Sequence, residues 1–279
     1  MKFSRPKADL YVPDNAPPPE AVRRTTHLGI GAHQDDLEFM ALHGILECYG
    51  RRDRWFGGVT CTDGAGSARS GPFAHYTDEQ MMAVRVEEQR AAARIGQYGF
   101  MAQLGHPSSA VKEAEARESL VAELVGLLGE SRPQVVYTHN PFDKHSTHIA
   151  VLKAVLSAIR RLPLSGRPQQ LLGCEVWRGL DWLPDPLKVV HDVSRRPELA
   201  VELAGVFQSQ IAGGKRYDLA VAGRYLANAT FLDSHATDAA TRVSYAVDLT
   251  PLIGEEGASL MVFADSVLEA FSAGIRDGL

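Results

Sequence analysis

Short hydrophobic runs alternate with longer amphipathic segments along most of the chain. From about residue 26 onward, four such runs predict buried strands, and each is followed by a segment with helical periodicity. The predicted strands are 27–32, 55–62, 98–104 and 134–138, and the predicted helices are 39–46, 78–95, 112–130 and 148–161. Strands that alternate with helices favour a parallel sheet. The pattern therefore predicts an α/β fold, with a Rossmann-like, mostly parallel sheet and helices on both of its faces.

The rest of the chain predicts further elements but no domain boundary. Beyond residue 165 we expect strands at 173–178, 187–193 and 244–249, and helices at 197–212, 215–228 and 258–276. The first 25 residues are polar and rich in proline, which predicts an extended arm lying on the body. We therefore expect an N-terminal arm over 1–25 and a single α/β domain over 26–279.

Polar clusters follow three of the predicted strands. They are GAHQDD from Gly31, TDGAGS from Thr62 and THNPFDKHSTH from Thr138. Ligands of such sheets bind beyond the carboxyl ends of the strands, so the clusters can converge on one edge. Adjacent carboxylates such as those in GAHQDD repel one another, and they are costly to bury unless a cation compensates them.

A divalent metal is the cation that the residue types favour. His33 and Asp36 are three residues apart at a strand-to-helix turn, and His145 and His148 have the same spacing at a predicted helix start. Zinc accepts imidazole nitrogen and carboxylate oxygen, and a catalytic zinc site takes three protein ligands. Each pair alone is weak evidence, since Asp35 and Asp36 could instead cap the next helix. Their joint occurrence after two strands favours a shared metal ion.

Composition narrows the class of ligand and the compartment. The net charge is −5 without a basic stripe, which disfavours nucleic acid and anionic membranes and favours a small-molecule ligand. The three cysteines are far apart and form no CxxC motif, which favours a reducing interior over a disulfide framework. The chain shows no signal-peptide core and no apolar run of membrane-spanning length, so we expect a cytoplasmic protein. These patterns do not encode the oligomeric state, so both a monomer and a homo-oligomer are compatible with the sequence.

Four motifs in order resemble one known family. GAHQDDLE is similar to the AHPDDxE signature of the PIG-L/LmbE-like family of zinc-dependent N-acetylglucosaminyl deacetylases. The segments Arg85–Glu88 and Ala91–Gly96 resemble its RxxE helix with the AAxxxG ending, and Leu104–Pro107 resembles its LGxPD turn. HNPFDKHSTHIAV is similar to its HPDHxAV metal motif. The resemblance covers roughly 27–155 and implies the deacetylase fold of that family.

The resemblance implies a role for each matching position. His33, Asp36 and His148 would be the zinc ligands, with iron or another divalent ion as an alternative metal. Asp35 would be the general base. His145 would be the acid or the group that stabilises the oxyanion.

Other positions match the family pattern less closely. Arg85 would contact the substrate, although its motif carries this role over from the family less directly than the other motifs do. Gln34 replaces the usual proline, and Ser146 and Thr147 replace Pro-Asp, so the carboxylate that would help to hold a histidine is absent. Asp143 in the preceding turn could substitute for it.

The leading hypothesis is a zinc hydrolase that removes the acetyl group from an N-acetylglucosamine-type substrate. One alternative is a zinc amidase acting on a thiol-sugar or antibiotic-sugar conjugate, and another is a metal-binding protein without turnover. A nucleotide-binding domain is disfavoured because no GxGxxG follows the first strand of the predicted α/β domain. Trp177 and Trp182 could stack on a sugar, although packing is the favoured role for both. His139 is left without an assigned role.

Overall fold

The computed structural model describes residues 3–254 and 258–279. Its strands are β1 Asp9–Tyr11, β2 His27–Gly31, β3 Phe56–Thr62, β4 Phe100–His106, β5 Val135–His139, β6 Gln170–Cys174, β7 Lys188–Asp192 and β8 Val243–Asp248. Its helices are α1 Pro18–Arg23, α2 Asp36–Met40, α3 Leu42–Cys48, α4 Asp78–Ile95, α5 Ser108–Lys112, α6 Glu118–Ser131, α7 Ser146–Arg160, α8 Pro197–Gly205, α9 Gln208–Ile211, α10 Tyr217–Thr230 and α11 Leu260–Gly278.

The eight strands of the described residues belong to one sheet in the order β1-β4-β3-β2-β5-β6-β8-β7. The five central strands, from β4 to β6, are parallel, whereas β1 and the β8–β7 pair join the edges antiparallel. The predicted mostly parallel α/β fold is confirmed. The chain runs outward from β2 to β4 on one side and from β5 to β6 on the other, so the strand order reverses between β2 and β5. Such a reversal opens a crevice at the carboxyl ends of the two strands.

Two buried hydrophobic clusters lie on the two faces of the sheet. Neighbouring residues of one strand point to opposite faces, and accordingly Val136 and Tyr137 of β5 belong to different clusters, as do Leu171 and Leu172 of β6. Burial on both faces explains why these strands appear in the sequence as continuous apolar runs.

Several predicted elements differ in detail. The expected extended arm contains the edge strand β1 and the helix α1. The helix expected at 39–46 is interrupted at Ala41, whose backbone is not helical. After this break, α3 brings Gly44 so close to the sheet that a Cβ there would lie 2.5 Å from the ring of Tyr137. The helices expected at 112–130 and 197–212 are likewise divided into α5 and α6 and into α8 and α9. No helix among the described residues is long and apolar enough to cross a membrane.

Candidate metal and catalytic site

The candidate site lies in the crevice between β2 and β5. The loop after β2 supplies His33, Asp35 and Asp36, and the segment after β5 supplies His145 and His148. Because β2 and β5 are hydrogen-bonded neighbours, residues more than a hundred positions apart in sequence meet here. The structure therefore brings together the residues that the two motifs predicted.

Asp36 is the buried centre of this cluster, with 2% of the residue exposed. Its Oδ2 accepts a hydrogen bond of 2.7 Å from the backbone N–H of His33, which holds the carboxylate in place. Burial opposes ionisation, but the neighbouring His148 and a hydrogen bond from His33 hold the pKa of Asp36 well below its usual range. The carboxylate is therefore charged and surrounded by imidazoles.

Two imidazole nitrogens and the two oxygens of one carboxylate lie at spacings typical of metal ligands. His33 Nδ1 lies 3.2 Å from His148 Nε2 and 3.4 Å from Asp36 Oδ2, while His148 Nε2 lies 3.4 Å from the other carboxylate oxygen, Asp36 Oδ1. Ligands bound at about 2.1 Å in tetrahedral geometry are about 3.4 Å apart. The described residues hold two overlapping groups that could bind a metal: His33, His145 and His148 form one, and Asp36, His139 and His148 form the other.

His139 was not assigned a role from the sequence, and its surroundings argue against ligation. Its Nε2 lies 3.3 Å from Asp36 Oδ2, but it accepts a 2.9 Å hydrogen bond from the backbone N–H of Ala32. The single lone pair of that nitrogen is thus already engaged. Burial and the neighbouring His148 lower the pKa of His139 to about 4, consistent with a neutral ring that accepts. The remaining candidate donors are His33, Asp36, His145 and His148.

Asp143 takes the place of the carboxylate missing from the motif. His148 Nδ1 donates to Asp143 Oδ2 at 3.1 Å, which directs Nε2 toward Asp36. Asp143 also accepts hydrogen bonds from the backbone N–H groups of His145 and Trp177, at 3.0 and 3.2 Å. A carboxylate behind a metal-binding histidine fixes its tautomer and orientation. The Asp143–His148 contact has the geometry that this role requires.

Asp35 lies beside the cluster and is tied to Arg85. Its backbone has φ +93°, in the left-handed region. The side-chain Oδ2 accepts a 2.9 Å hydrogen bond from Arg85, while Oδ1 has no such partner among the described residues. Burial raises the pKa of Asp35 to about 6, although Arg85 opposes the shift. A buried carboxylate that lines the cavity and keeps one oxygen without a hydrogen-bond partner among the described residues is suited to accept a proton near neutral pH.

Arg85 is buried more deeply than expected of a residue that only contacts a substrate. The residue is 1% exposed, and its guanidinium also donates to Glu88 at 3.1 Å and to the Gln34 carbonyl. Glu88 in turn accepts from the backbone N–H and hydroxyl of Ser209, at 2.6 and 2.7 Å. The guanidinium thus links α4 and α9 to Asp35. Arg85 also lines the cavity, so its predicted contact with substrate stays a prediction.

His145 lies at the mouth of the site. Its ring stacks on that of His148, with centroids 4.5 Å apart, and forms a T-shaped contact with the ring of His33 at 4.9 Å. Burial and the charges of these two histidines lower the pKa of His145 to about 4. A neutral His145 can donate a hydrogen bond to a developing negative charge, whereas a protonated His145 is disfavoured.

A cavity of about 520 Å³ opens above the cluster. Its aromatic walls are Phe39, Trp177 and Tyr217, and the rings of Trp177 and Tyr217 meet edge to face at 5.9 Å. Phe39 and Tyr217 were not singled out from the sequence, because nothing in their local pattern distinguishes them from core residues. Trp182 packs between Phe142 and Phe271, as expected of a core residue, while Trp177 lines the cavity.

Comparison with known proteins relates part of the chain to one family. Residues 28–159 match the sequence model of the family described as PIG-L, GlcNAc-PI de-N-acetylase. This segment belongs to the family, and the match confirms the resemblance drawn from the motifs. It includes His33, Asp36 and His148. No curated protein matches the chain. The family match supports a hydrolytic deacetylase.

Solved structures share the fold at low sequence identity. N,N'-diacetylchitobiose deacetylase from Pyrococcus horikoshii has a TM-score of 0.63 and 14% identity, over 82% of this chain and 85% of that one. A conserved protein from Thermus thermophilus has a TM-score of 0.61 and 18% identity, over 84% and 99%. 4-Carboxy-2-hydroxymuconate hydratase from Pseudomonas putida has a TM-score of 0.60 and 14% identity, over 83% and 98%. Since a deacetylase and a hydratase share this fold, the chemistry must be argued from the site.

Proposed function

We propose that the protein is a metal-dependent hydrolase that removes the acetyl group from an N-acetylglucosamine-type substrate. The observation that carries the proposal is the pairing of a three-donor metal site, made by His33, Asp36 and His148, with a separate carboxylate at Asp35. A metal that serves structure alone needs no uncoordinated base beside it. The nitrogen and oxygen donors suit zinc, and iron is the alternative.

The reaction needs an activated water and a polarised amide. A divalent cation at this site would lower the pKa of water and withdraw electron density from the carbonyl. Asp35 Oδ1 accepts the proton of the attacking water, because Arg85 engages only the other carboxylate oxygen. The neutral ring of His145 donates a hydrogen bond to the oxyanion. Protonated Asp35 then delivers its proton to the departing amine, which completes the transfer without a charged His145.

The cavity suits a saccharide. Its volume of about 520 Å³ falls in the usual range of small-molecule sites, about 300–1,000 Å³. The ring of Trp177 lines the cavity next to His145, with the two ring centroids 6.0 Å apart. Sugar rings present such an apolar face, so Trp177 is placed to support the ring whose acetamido group reaches Asp35.

Acetate release is the direct test. Purified protein, treated with chelator and then reconstituted with zinc or iron, is incubated with N-acetylglucosamine, its methyl glycoside and larger N-acetyl conjugates. We expect acetate from at least one amino sugar, only after metal is restored. Release confined to thiol-sugar or antibiotic-sugar conjugates would favour the amidase alternative. Metal binding without acetate from any substrate would favour a protein without turnover, and undiminished release in chelator would contradict the metal mechanism.

A further inference from the structure

Helix α11 leaves part of its apolar surface outside the hydrophobic core. Val267 on its inner face is buried against the body of the protein. A second apolar row is exposed, because 68% of Met261, 49% of Leu268 and 49% of Ile275 are accessible to solvent. We call these three residues the exposed stripe.

The exposed stripe has the spacing of a seam between paired helices. Its residues are seven positions apart, which is close to two turns of an α-helix, so they form one row along α11. The helix has 19 residues and is about 28 Å long, so the row can contact a second helix along most of that length. Contiguous apolar patches on a protein surface commonly mark an interaction site.

Two opposite charges flank the exposed stripe. Asp265 and Arg276 are eleven positions apart, which is close to three turns, so both lie on the same side of the row. Neither forms an ion pair within the described ranges 3–254 and 258–279. The other charged residues of α11 are Glu269 and Asp277, so the helix as a whole is acidic. An acidic helix is poorly suited to an anionic membrane surface.

A second copy of α11 in antiparallel orientation matches both charges at once. A two-fold axis between positions 270 and 271 places Arg276 opposite Asp265 of the partner subunit, and the same axis generates the reciprocal pair. In this register Leu268 and Ile275 each fall between two stripe residues of the second copy, as knobs do in coiled-coil packing. A parallel pair would instead put the flanking charges on opposite sides of the seam, where they cannot meet.

We propose that α11 is a dimerisation surface, on which two copies of the chain pair through antiparallel exposed stripes flanked by Asp265–Arg276 ion pairs. The occupant is a second copy because one helix carries both members of the charge pair, at a spacing that also interdigitates the stripes. A seam about 28 Å long and about 10 Å wide covers about 300 Å² per copy. This area is smaller than the roughly 800 Å² per partner of a standard interface, so the dimer is reversible and depends on concentration.

Sedimentation equilibrium of the full chain over a range of concentrations tests the dimer. We expect the wild-type mass to rise from that of one copy toward that of two. Leu268→Asp buries a charge in the seam of both copies and should raise the dimer dissociation constant by at least about 100-fold. A wild type that stays monomeric at every soluble concentration overturns the proposal, and so does a dimer that Leu268→Asp leaves intact. A monomer whose α11 instead binds phosphatidylcholine vesicles also overturns it and assigns the stripe to a membrane.

Charge reversal tests the antiparallel register. Asp265→Arg or Arg276→Asp alone places like charges opposite each other at two points and should raise the dissociation constant by about tenfold. The double substitution restores opposite charges in the antiparallel pair and should return the constant to near the wild-type value. Glu202→Arg, at an exposed position of α8, changes the charge outside the seam and is the matched control, with no expected effect. A double variant that dimerises no better than either single variant overturns this pairing.

Discussion

The carboxylate of Asp143 lies 3.1 Å from Nδ1 of His148, on the far side of the imidazole from Asp36. The two residues are five positions apart, and the turn before α7 brings them together. The contact leaves Nε2 of His148 free to face the candidate metal site. It also places a carboxylate beside His148 although the motif HNPFDKHSTH lacks the Pro-Asp pair of the family pattern.

Asp143→Asn should weaken metal binding while the fold is retained. Loss of a carboxylate behind a metal-binding histidine typically lowers metal affinity by about 10- to 100-fold. Competition with a chromogenic chelator measures the change in zinc affinity. The control is Asp185→Asn, which alters the pair between an exposed carboxylate and Lys188, far from the predicted ligands. Equal zinc affinity of wild type and Asp143→Asn would contradict the orienting role.

Asp35→Asn and His148→Ala should separate turnover from metal binding. Asp35→Asn removes the base but no proposed ligand, so we expect retained zinc and a loss of turnover of about 10²–10⁴-fold. His148→Ala removes one of three ligands and should lose zinc. Metal content by mass spectrometry and acetate release together distinguish the two variants. Undiminished turnover in Asp35→Asn would show that another group takes the proton.

Arg85→Leu should strongly destabilise the fold. It leaves the buried carboxylates of Asp35 and Glu88 without their cation, and breaking a buried ion pair from one side costs about 3–5 kcal/mol. The free energy of unfolding in urea measures the effect. Arg161→Leu, which removes an exposed pair with Glu118, is the matched control and should change stability little. Comparable effects of the two substitutions would argue against a buried charge network.

Gly44→Ala should destabilise the protein because the added methyl group would clash with a neighbouring ring, not because of the backbone conformation at this position. The new Cβ would lie 2.5 Å from the Tyr137 ring, and overpacking of this kind costs about 1–3 kcal/mol. Gly126→Ala in α6 meets nothing within 4 Å and should stabilise by up to about 1 kcal/mol. Urea unfolding of both variants checks the contrast in sign. A stabilising Gly44→Ala would mean that α3 can move away from the sheet.

Acid should destabilise the protein partly through His191. Burial, together with neighbouring His43, lowers the pKa of His191 from 6.5 to about 3. The unfolded chain therefore binds one more proton between these values, and stability falls as the pH falls through that window. His191→Gln should reduce the slope of unfolding free energy against pH by up to about 1.4 kcal/mol per unit between about pH 4 and 6. Exposed His75→Gln is the control, and an unchanged slope in His191→Gln would contradict the assignment.

The sequence by itself determined the α/β class and the position of the candidate site. Strand and helix periods are local properties, and the motif residues His33 and Asp36 follow a strand whatever the rest of the chain does. Because ligands of parallel sheets gather at the carboxyl ends of the strands, local order was enough to expect His148 beside them. It was also enough to raise Asp143 as a substitute carboxylate.

Only the tertiary structure decided which neighbours those residues have. The pairing of Arg85 with Asp35, the hydrogen bond from Ala32 to His139 and the wall formed by Phe39 and Tyr217 all join distant parts of the chain. Such contacts depend on the strand order and on how each helix crosses the sheet, and the periodicity of apolar residues carries neither. For the same reason the edge strand β1 and the break at Ala41 lay outside what the sequence pattern could predict.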